Sequence, residues 1–362
     1  IWLGPSIDGT IAVARSLVIF YATLNIVTTR RRVWGILVLL VALIAIYPGL
    51  GAVRYYETGH LKEAGRANWR GVFGNANMTA LAMLMHLPFA LALYALSRKR
   101  QWKWAWAAAA VLLISVTVLT KSRAGFLALL VLGATTFAVS RRKLQAVGAL
   151  FVAGVLIFTL APAGFRERIA TITASPEEQD GSASSRRIIW GTAIEIALDH
   201  PLTGIGVGTY ERANAQYAPP ELGKAGGQRW KDTHNTYLNI WAEIGTPGLI
   251  AFVAMLVTVL TRSRRALRRV PPDDALARFV RAGVTAVWVF AVTGIFNTFH
   301  NAWFFYVLVA TQLAALRILE TEHAARLRAS AASEAGGILL PPLPGAPGDA
   351  RAPGPPVLLG DP

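Results

Sequence analysis

Two clusters of cations and one histidine carry the chemistry that this sequence offers. Lys121, Ser122 and Arg123 form a three-residue hairpin between two apolar runs. A fixed arginine at that boundary can hold an anionic headgroup through charge-assisted, bidentate contacts; the plainer role is a side chain snorkelling to lipid phosphates. Ser184, Ser185, Arg186, Arg187, Ile188, Ile189 and Trp190 read as a helix start with serine available to cap the free amides. At 100° per residue Trp190, Ala193, Ile194 and Ala197 share one side, and Thr192, Glu195 and Asp199 the other. Arg186 then points from the apolar side, near a helix amino terminus whose dipole also favours an anion. His234, in Trp230, Lys231, Asp232, Thr233, His234, Asn235, Thr236, Tyr237, stands at the mouth of an apolar run. It can serve as a general base near neutral pH, with Asp232 or Asn235 placed to fix its tautomer; otherwise it is a polar anchor.

Other groups are less informative. His60, His86, His200, His300 and His323 make no metal-ligand spacing, and paired-carboxylate motifs are missing, so no metal or cofactor is expected. Gly204, Gly206 and Gly208 lack the lysine and serine of a phosphate loop and read as flexible backbone after Pro201. Glu177, Glu178 and Asp180 read as a solvated run.

The elements that must position these residues are membrane spans. Of 362 residues, 54% are hydrophobic, only 15% are charged and none is cysteine. Soluble domains carry about 25% charged residues, so a chain this poor in charge lacks the polar surface to stay dissolved. The absence of cysteine removes disulfides, thiolate catalysis and cysteine-bound metals. Nine runs are apolar enough to cross, near 10–28, 33–53, 72–97, 102–120, 124–140, 144–162, 235–261, 280–297 and 301–318. The expected fold is thus an all-α polytopic membrane protein. Residues 1–162 hold six spans, 163–234 a long outer loop with one amphipathic helix, 235–318 three more spans, and 319–362 a disordered tail rich in Ala, Pro and Gly.

Alternate loops divide the net charge of +16. One set, holding Arg30 to Arg32, Arg98 to Lys103, Arg141 to Lys143, Arg262 to Arg281 and the tail, carries 21 Lys and Arg against 7 acids, whereas the other carries 14 against 11. The positive-inside rule places the first set in the cytoplasm, together with the tail. The basic excess is therefore a topology signal, and a nucleic-acid partner, which requires one solvated basic face, is excluded. With residue 1 outside and Ile1 in place of a Met, one or three further spans are expected upstream.

A set of motifs in fixed order resembles the O-antigen ligase superfamily. They are Ser185 to Trp190, Asp199 to Gly208, His234 to Leu238 and Glu243 to Leu249, with Ser122 to Gly125 and Phe73 to Asn77 upstream. The resemblance implies a GT-C-type glycosyltransferase of lipopolysaccharide biosynthesis in the bacterial inner membrane, acting on its periplasmic face without a cofactor. The implied donor is a glycan on undecaprenyl diphosphate and the implied acceptor a lipid A core hydroxyl. By the same resemblance Arg123 and Arg186 clamp the diphosphate and His234 is catalytic. Arg187, Asn235, Asn75 and Arg70 are the further positions expected to contact substrate. The doubled Arg186 and Arg187 departs from the single arginine usual in the family. Two alternatives belong to the same superfamily, an O-antigen polymerase and a protein O-oligosaccharyltransferase. An Arg-x10-Gly spacing known from polymerases occurs at Arg54 to Gly65 and at Arg212 to Gly223. A transporter of lipid-linked sugars is the alternative of another class, but its ionisable residues should line the middle of spans, where this chain has few.

Overall fold

The computed structural model describes residues 2–59, 65–69, 73, 75–139, 181–224, 231–271, 273–299 and 302–334, with scattered positions between 143 and 165. Every described element is a helix. In chain order they are α1 (Leu3–Ile26), α2 (Arg30–Glu57), α3 (Ala76–Leu96), α4 (Arg100–Leu119), α5 (Arg123–Val139), α6 (Gly181–Asp199), α7 (Tyr210–Tyr217), α8 (Glu221–Lys224), α9 (Thr236–Arg269), α10 (Ala275–Thr293) and α11 (Trp303–Glu334). Among the described residues seven are long and apolar enough to cross a membrane: α1, α2, α3, α4, α9, α10 and α11. α5 is apolar but shorter, at 17 residues. Most of the expected sixth span near 144–162, together with the polar run up to Asp180, His300 and the chain beyond Glu334, lies outside the described residues.

α3 is the central helix. It is apolar all round, including a run from Thr79 to Ala90 that is buried without a break, as a helix surrounded by others must be. α2, α4, α5 and α10 pack around it. Lipid tails are as apolar as leucine, so close packing and a few polar contacts hold such a bundle together. Phe290 and Phe305 stack at 3.6 Å between ring centres, and Trp34 meets Phe279 edge-on at 4.7 Å. Buried Gln312 on α11 donates to Ser263 Oγ on α9 (3.0 Å) and to the Val280 carbonyl on α10 (2.9 Å). Gly283 leaves the room for it, since a Cβ there would stand 2.0 Å from the Gln312 side-chain oxygen.

Polar contacts also sort the helix ends. Arg30 binds both oxygens of Asp274 (3.1 and 2.9 Å) and also Glu322 (2.7 Å), while Arg262 binds Glu320 at 2.6 Å. Asp274 in turn caps α10 through the amides of Leu276 and Ala277. One end of the bundle thus gathers residues from the arginine-rich loops. These contacts explain why α11 continues to Glu334, past residue 319, where a disordered tail was expected. Residues 320–334 are rich in Ala, Arg, Leu and Glu, which favour helix, and Glu320 and Glu322 anchor the first turns beyond the apolar run.

Outside the span bundle α6, α7 and α8 build a second, smaller core. Ile189, Ala193 and Ile196 of α6 pack with Tyr210, Ala213, Leu222 and Ala242. α6 begins at Gly181, so Arg186 lies in its second turn and not at its amino terminus. Its buried face is also turned from the expected one: Thr192 is buried with its hydroxyl bonded to the Ile188 carbonyl, whereas Ile194 is exposed.

α9 is broken at Gly245 (φ 80°, ψ −178°), ahead of Pro247. A broken helix leaves carbonyls without intrahelical donors. The glycine turn supplies them: Ile205 N donates to the Ala242 carbonyl and Gly206 N to that of Glu243, each at 3.0 Å. The Glu243 carboxylate accepts from Gly208 N (2.8 Å) and Tyr210 N (3.0 Å). This turn is therefore fixed, which corrects the expectation of flexible backbone after Pro201. Gly204 has φ +62°, and a Cβ there would lie 2.3 Å from the Glu243 carbonyl carbon. Gly204→Ala should destabilise the fold by about 1–3 kcal/mol, read as a lower melting midpoint in detergent; an unchanged midpoint would contradict this packing.

Candidate active site

At the end of the bundle opposite Arg30 and Asp274, a chain of hydrogen bonds links the hairpin of Arg123 to the loop of His234. Ser122 caps α5, accepting from Gly125 N at 3.0 Å, and donates to Asn77 Oδ1 at 2.8 Å. Arg66 donates to the same oxygen (2.7 Å) and to the Thr120 carbonyl (2.9 Å). Asn77 Nδ2 passes the connection to Asn297 Oδ1 at 2.8 Å. The Asn297 carbonyl accepts from Thr236 Oγ1 at 2.7 Å, and that hydroxyl accepts from Phe299 N at 2.9 Å. Thr298 and Thr233 share a hydroxyl contact of 3.0 Å. Arg123 opens α5 on this framework, half-buried, directly after Lys121 (φ +48°) and the cap Ser122.

Residues 231–235 form the turn that enters α9. Asn235 is its cap: the side-chain oxygen accepts from Tyr237 N (2.9 Å) and Leu238 N (3.1 Å). Asp232 Oδ1 accepts from Thr233 N at 2.7 Å and from Asn239 Nδ2 at 3.3 Å. Burial raises the Asp232 carboxyl to about 6, against these bonds. Trp190 of α6 donates its indole N–H to the Thr233 carbonyl at 2.9 Å, which holds α6, one turn past Arg186, against the turn.

His234 is the residue so enclosed. It adopts a left-handed φ of +50°; among the described residues Lys121 is the other non-glycine in that region. Such backbone strain persists only where surrounding contacts impose it. The imidazole is half-buried and held neutral, with its pKa lowered to about 4 by burial first, then by the charges of Arg186 and Lys231. Lys231 is itself lowered by burial and by Arg186. Two cations and a neutral imidazole thus share one partly desolvated corner, an arrangement that suits a polyanion.

Residues 108–253, from the middle of α4 through the break in α9, match the family model described as O-antigen ligase. The match covers the middle of the chain and supports the O-antigen ligase superfamily there. No curated protein matches it. The superfamily is one of glycosyltransferase-type enzymes of the O-antigen ligase and polymerase kind, and it implies lipid-linked glycan and lipid acceptor substrates in general. The apolar helices agree with a multi-pass membrane protein.

The expected site residues occupy distinct places in the structure. Arg186 and His234 meet across the α6 contact, and Arg123 lies at the other end of the hydrogen-bond chain. Arg187 is exposed on the outward side of α6. Asn75 and Asn235, expected to contact substrate, spend their side-chain oxygens as helix caps, Asn75 through Met78 N at 2.8 Å. Among the described residues neither Asp232 nor Asn235 bonds the His234 ring, because both are engaged by backbone amides and Asn239. Arg70 lies outside the described residues. No role was expected for Lys231, Arg66, Asn77 or Asn297, although Asn77 lies in one of the upstream motifs and Lys231 in the segment of His234. Lys231 stood three residues before the histidine, but a lone lysine carries no signal without the fold that brings Arg186 to it.

Two outcomes follow from this geometry. Asn77→Ala removes the partner that Ser122, Arg66 and Asn297 share and should cost about 1–3 kcal/mol, measured as thermal stability in detergent; full retention of stability would show that the network is dispensable. Because the folded state keeps His234 neutral, the unfolded chain binds its proton first as pH falls, so this residue's share of stability is lost between about pH 6.5 and 4. His234→Gln should flatten that part of the profile relative to wild type, while the opposite contribution of Asp232 stays in both; identical profiles would refute the neutral, buried imidazole.

Proposed function

We propose that this protein, in keeping with the family its central part matches, transfers a glycan from undecaprenyl diphosphate to a lipid A core hydroxyl at the periplasmic face of the bacterial inner membrane. The observation that carries the reading is the neutral imidazole of His234 beside the half-buried cations Arg186 and Lys231, at the bundle end away from the arginine-rich loops. Outside the cell no nucleotide sugar is at hand, so the donor must arrive activated, and a diphosphate leaving group provides that activation.

In this route the acceptor oxygen attacks the anomeric carbon as its proton passes to His234. The bond from the anomeric carbon to the diphosphate oxygen breaks, and undecaprenyl diphosphate leaves with the electron pair. Arg186 and Arg123 bind the charge that grows on the leaving group. The neutral histidine has its lone pair free at pH 7. The incoming diphosphate offsets Arg186 and Lys231, which raises the basicity of the ring at the step where it must take a proton. Proton transfer by a placed base contributes typically ~10²–10⁴-fold.

Purified protein given carrier-linked glycan and lipid A core should form the joined product. No product would sink the reading, and product from carrier-linked glycan alone would assign the polymerase activity instead. His234→Ala should lower turnover by ~10²-fold or more with donor binding retained, whereas Arg123→Ala and Arg186→Ala should weaken both. Wild-type turnover in His234→Ala would remove the histidine from the mechanism.

A further inference from the structure

α6 is apolar on two opposite sides. Ser185, Ile189, Ala193 and Ile196 form the buried side, inside the second core. Arg187, Gly191, Ile194 and Leu198 follow one another along the outward side at helical spacing, all exposed. Ile194 is 40% and Leu198 62% exposed, and Leu202, just past the helix, is 75% exposed. The acids Glu195 and Asp199 keep to one flank. A single exposed leucine is ordinary. Three large apolar residues in line, two on a helix whose other face already supplies a core and one just past its end, call for a second apolar partner.

The fold indicates which partner. Thr246 N donates to the Pro201 carbonyl at 2.7 Å, and a Cβ on Gly245 would lie 2.7 Å from the Leu202 carbonyl carbon. The end of α6 is therefore docked on α9 at its break. Below the break the sequence from Pro247 to Leu260 holds no charged residue. Ile250, Val253 and Val257 of that run are exposed, 62% in the case of Ile250, as in a helix facing lipid. At 1.5 Å per residue Ile250 is only about 8 Å beyond the break. Leu202 thus stands beside the break, next to the exposed apolar stretch of α9.

We propose that the line Ile194, Leu198, Leu202 beds in the lipid of the adjoining leaflet, the one away from the arginine-rich loops, with Arg187 meeting headgroup phosphates at the far end. α6 then lies in the interface with its apolar side in the acyl boundary, as amphipathic surface helices do. This placement holds Arg186, on the same helix, at the depth of the headgroups, and it stands independently of the reaction assigned above.

These 362 residues hold no cysteine, so Leu198→Cys, Leu202→Cys and Glu195→Cys each introduce one labelling site into this chain. Nitroxide labels at these positions are compared in nanodiscs of phosphatidylethanolamine and phosphatidylglycerol. Oxygen, which concentrates in lipid, should relax the labels at 198 and 202 several-fold more than the label at 195, and an aqueous nickel chelate several-fold less. Equal access of the nickel chelate to all three labels would overturn the proposal. So would shielding of position 198 from both reagents, which would point to a second copy of this chain or another protein as the cover. If Leu198→Cys fails to fold, Leu202→Cys, in a more exposed turn, decides alone.

Discussion

Among packed apolar helices a carboxamide must use both its oxygen and its nitrogen, and Asn77 does so by joining three separate stretches of chain. Its oxygen takes Arg66 and Ser122, and its nitrogen reaches Asn297. A buried polar group left unmade costs more than a made one gains. The positions of the 66–69 strap, the 120–123 hairpin and the 294–299 turn are therefore mutually dependent. From Asn297 the same constraint passes to Thr236 and so to the first turn of α9, whose cap lies next to His234. The hairpin that bears Arg123 and the turn that bears His234 become one framework although 111 positions separate them.

The second core answers a different requirement. Breaking α9 at Gly245 exposes carbonyls that need donors, and the glycine turn meets them only because Gly204, Gly206 and Gly208 adopt left-handed φ. Glu243, a carboxylate near the start of a span, is satisfied by backbone amides from that same turn. The break and the turn thus stabilise each other. Together they dock α6, and with it Arg186, over the mouth of the bundle.

Much of this was legible beforehand. Seven of the nine expected spans coincide with helices long and apolar enough to cross a membrane and an eighth with the shorter α5, and Arg30 and Arg262 from two of the cationic loops pair with acids at one end. The motif residues Arg123, Arg186 and His234 were legible as types suited to an anionic, activated donor. Less was legible about their supporting cast. The two asparagines expected at the substrate cap helices, the glycine turn expected to be loose is clamped, and Lys231 joins the corner unannounced. Each of these depends on a partner far along the chain.

The sequence alone determined that this is a polytopic membrane protein and which of its loops carry the charge excess, because apolar length and charge belong to a segment whatever surrounds it. Only the tertiary structure decided that His234 is neutral, that Asp232 serves the turn and not the imidazole, and which face of α6 is buried. Those outcomes rest on burial and on hydrogen bonds between groups as far apart as Asn77 and Asn297, 220 positions along the chain. No local pattern encodes such a pairing; the meeting of the 66–69 strap, the 120–123 hairpin and the 294–299 turn at the half-buried carboxamide of Asn77 creates it.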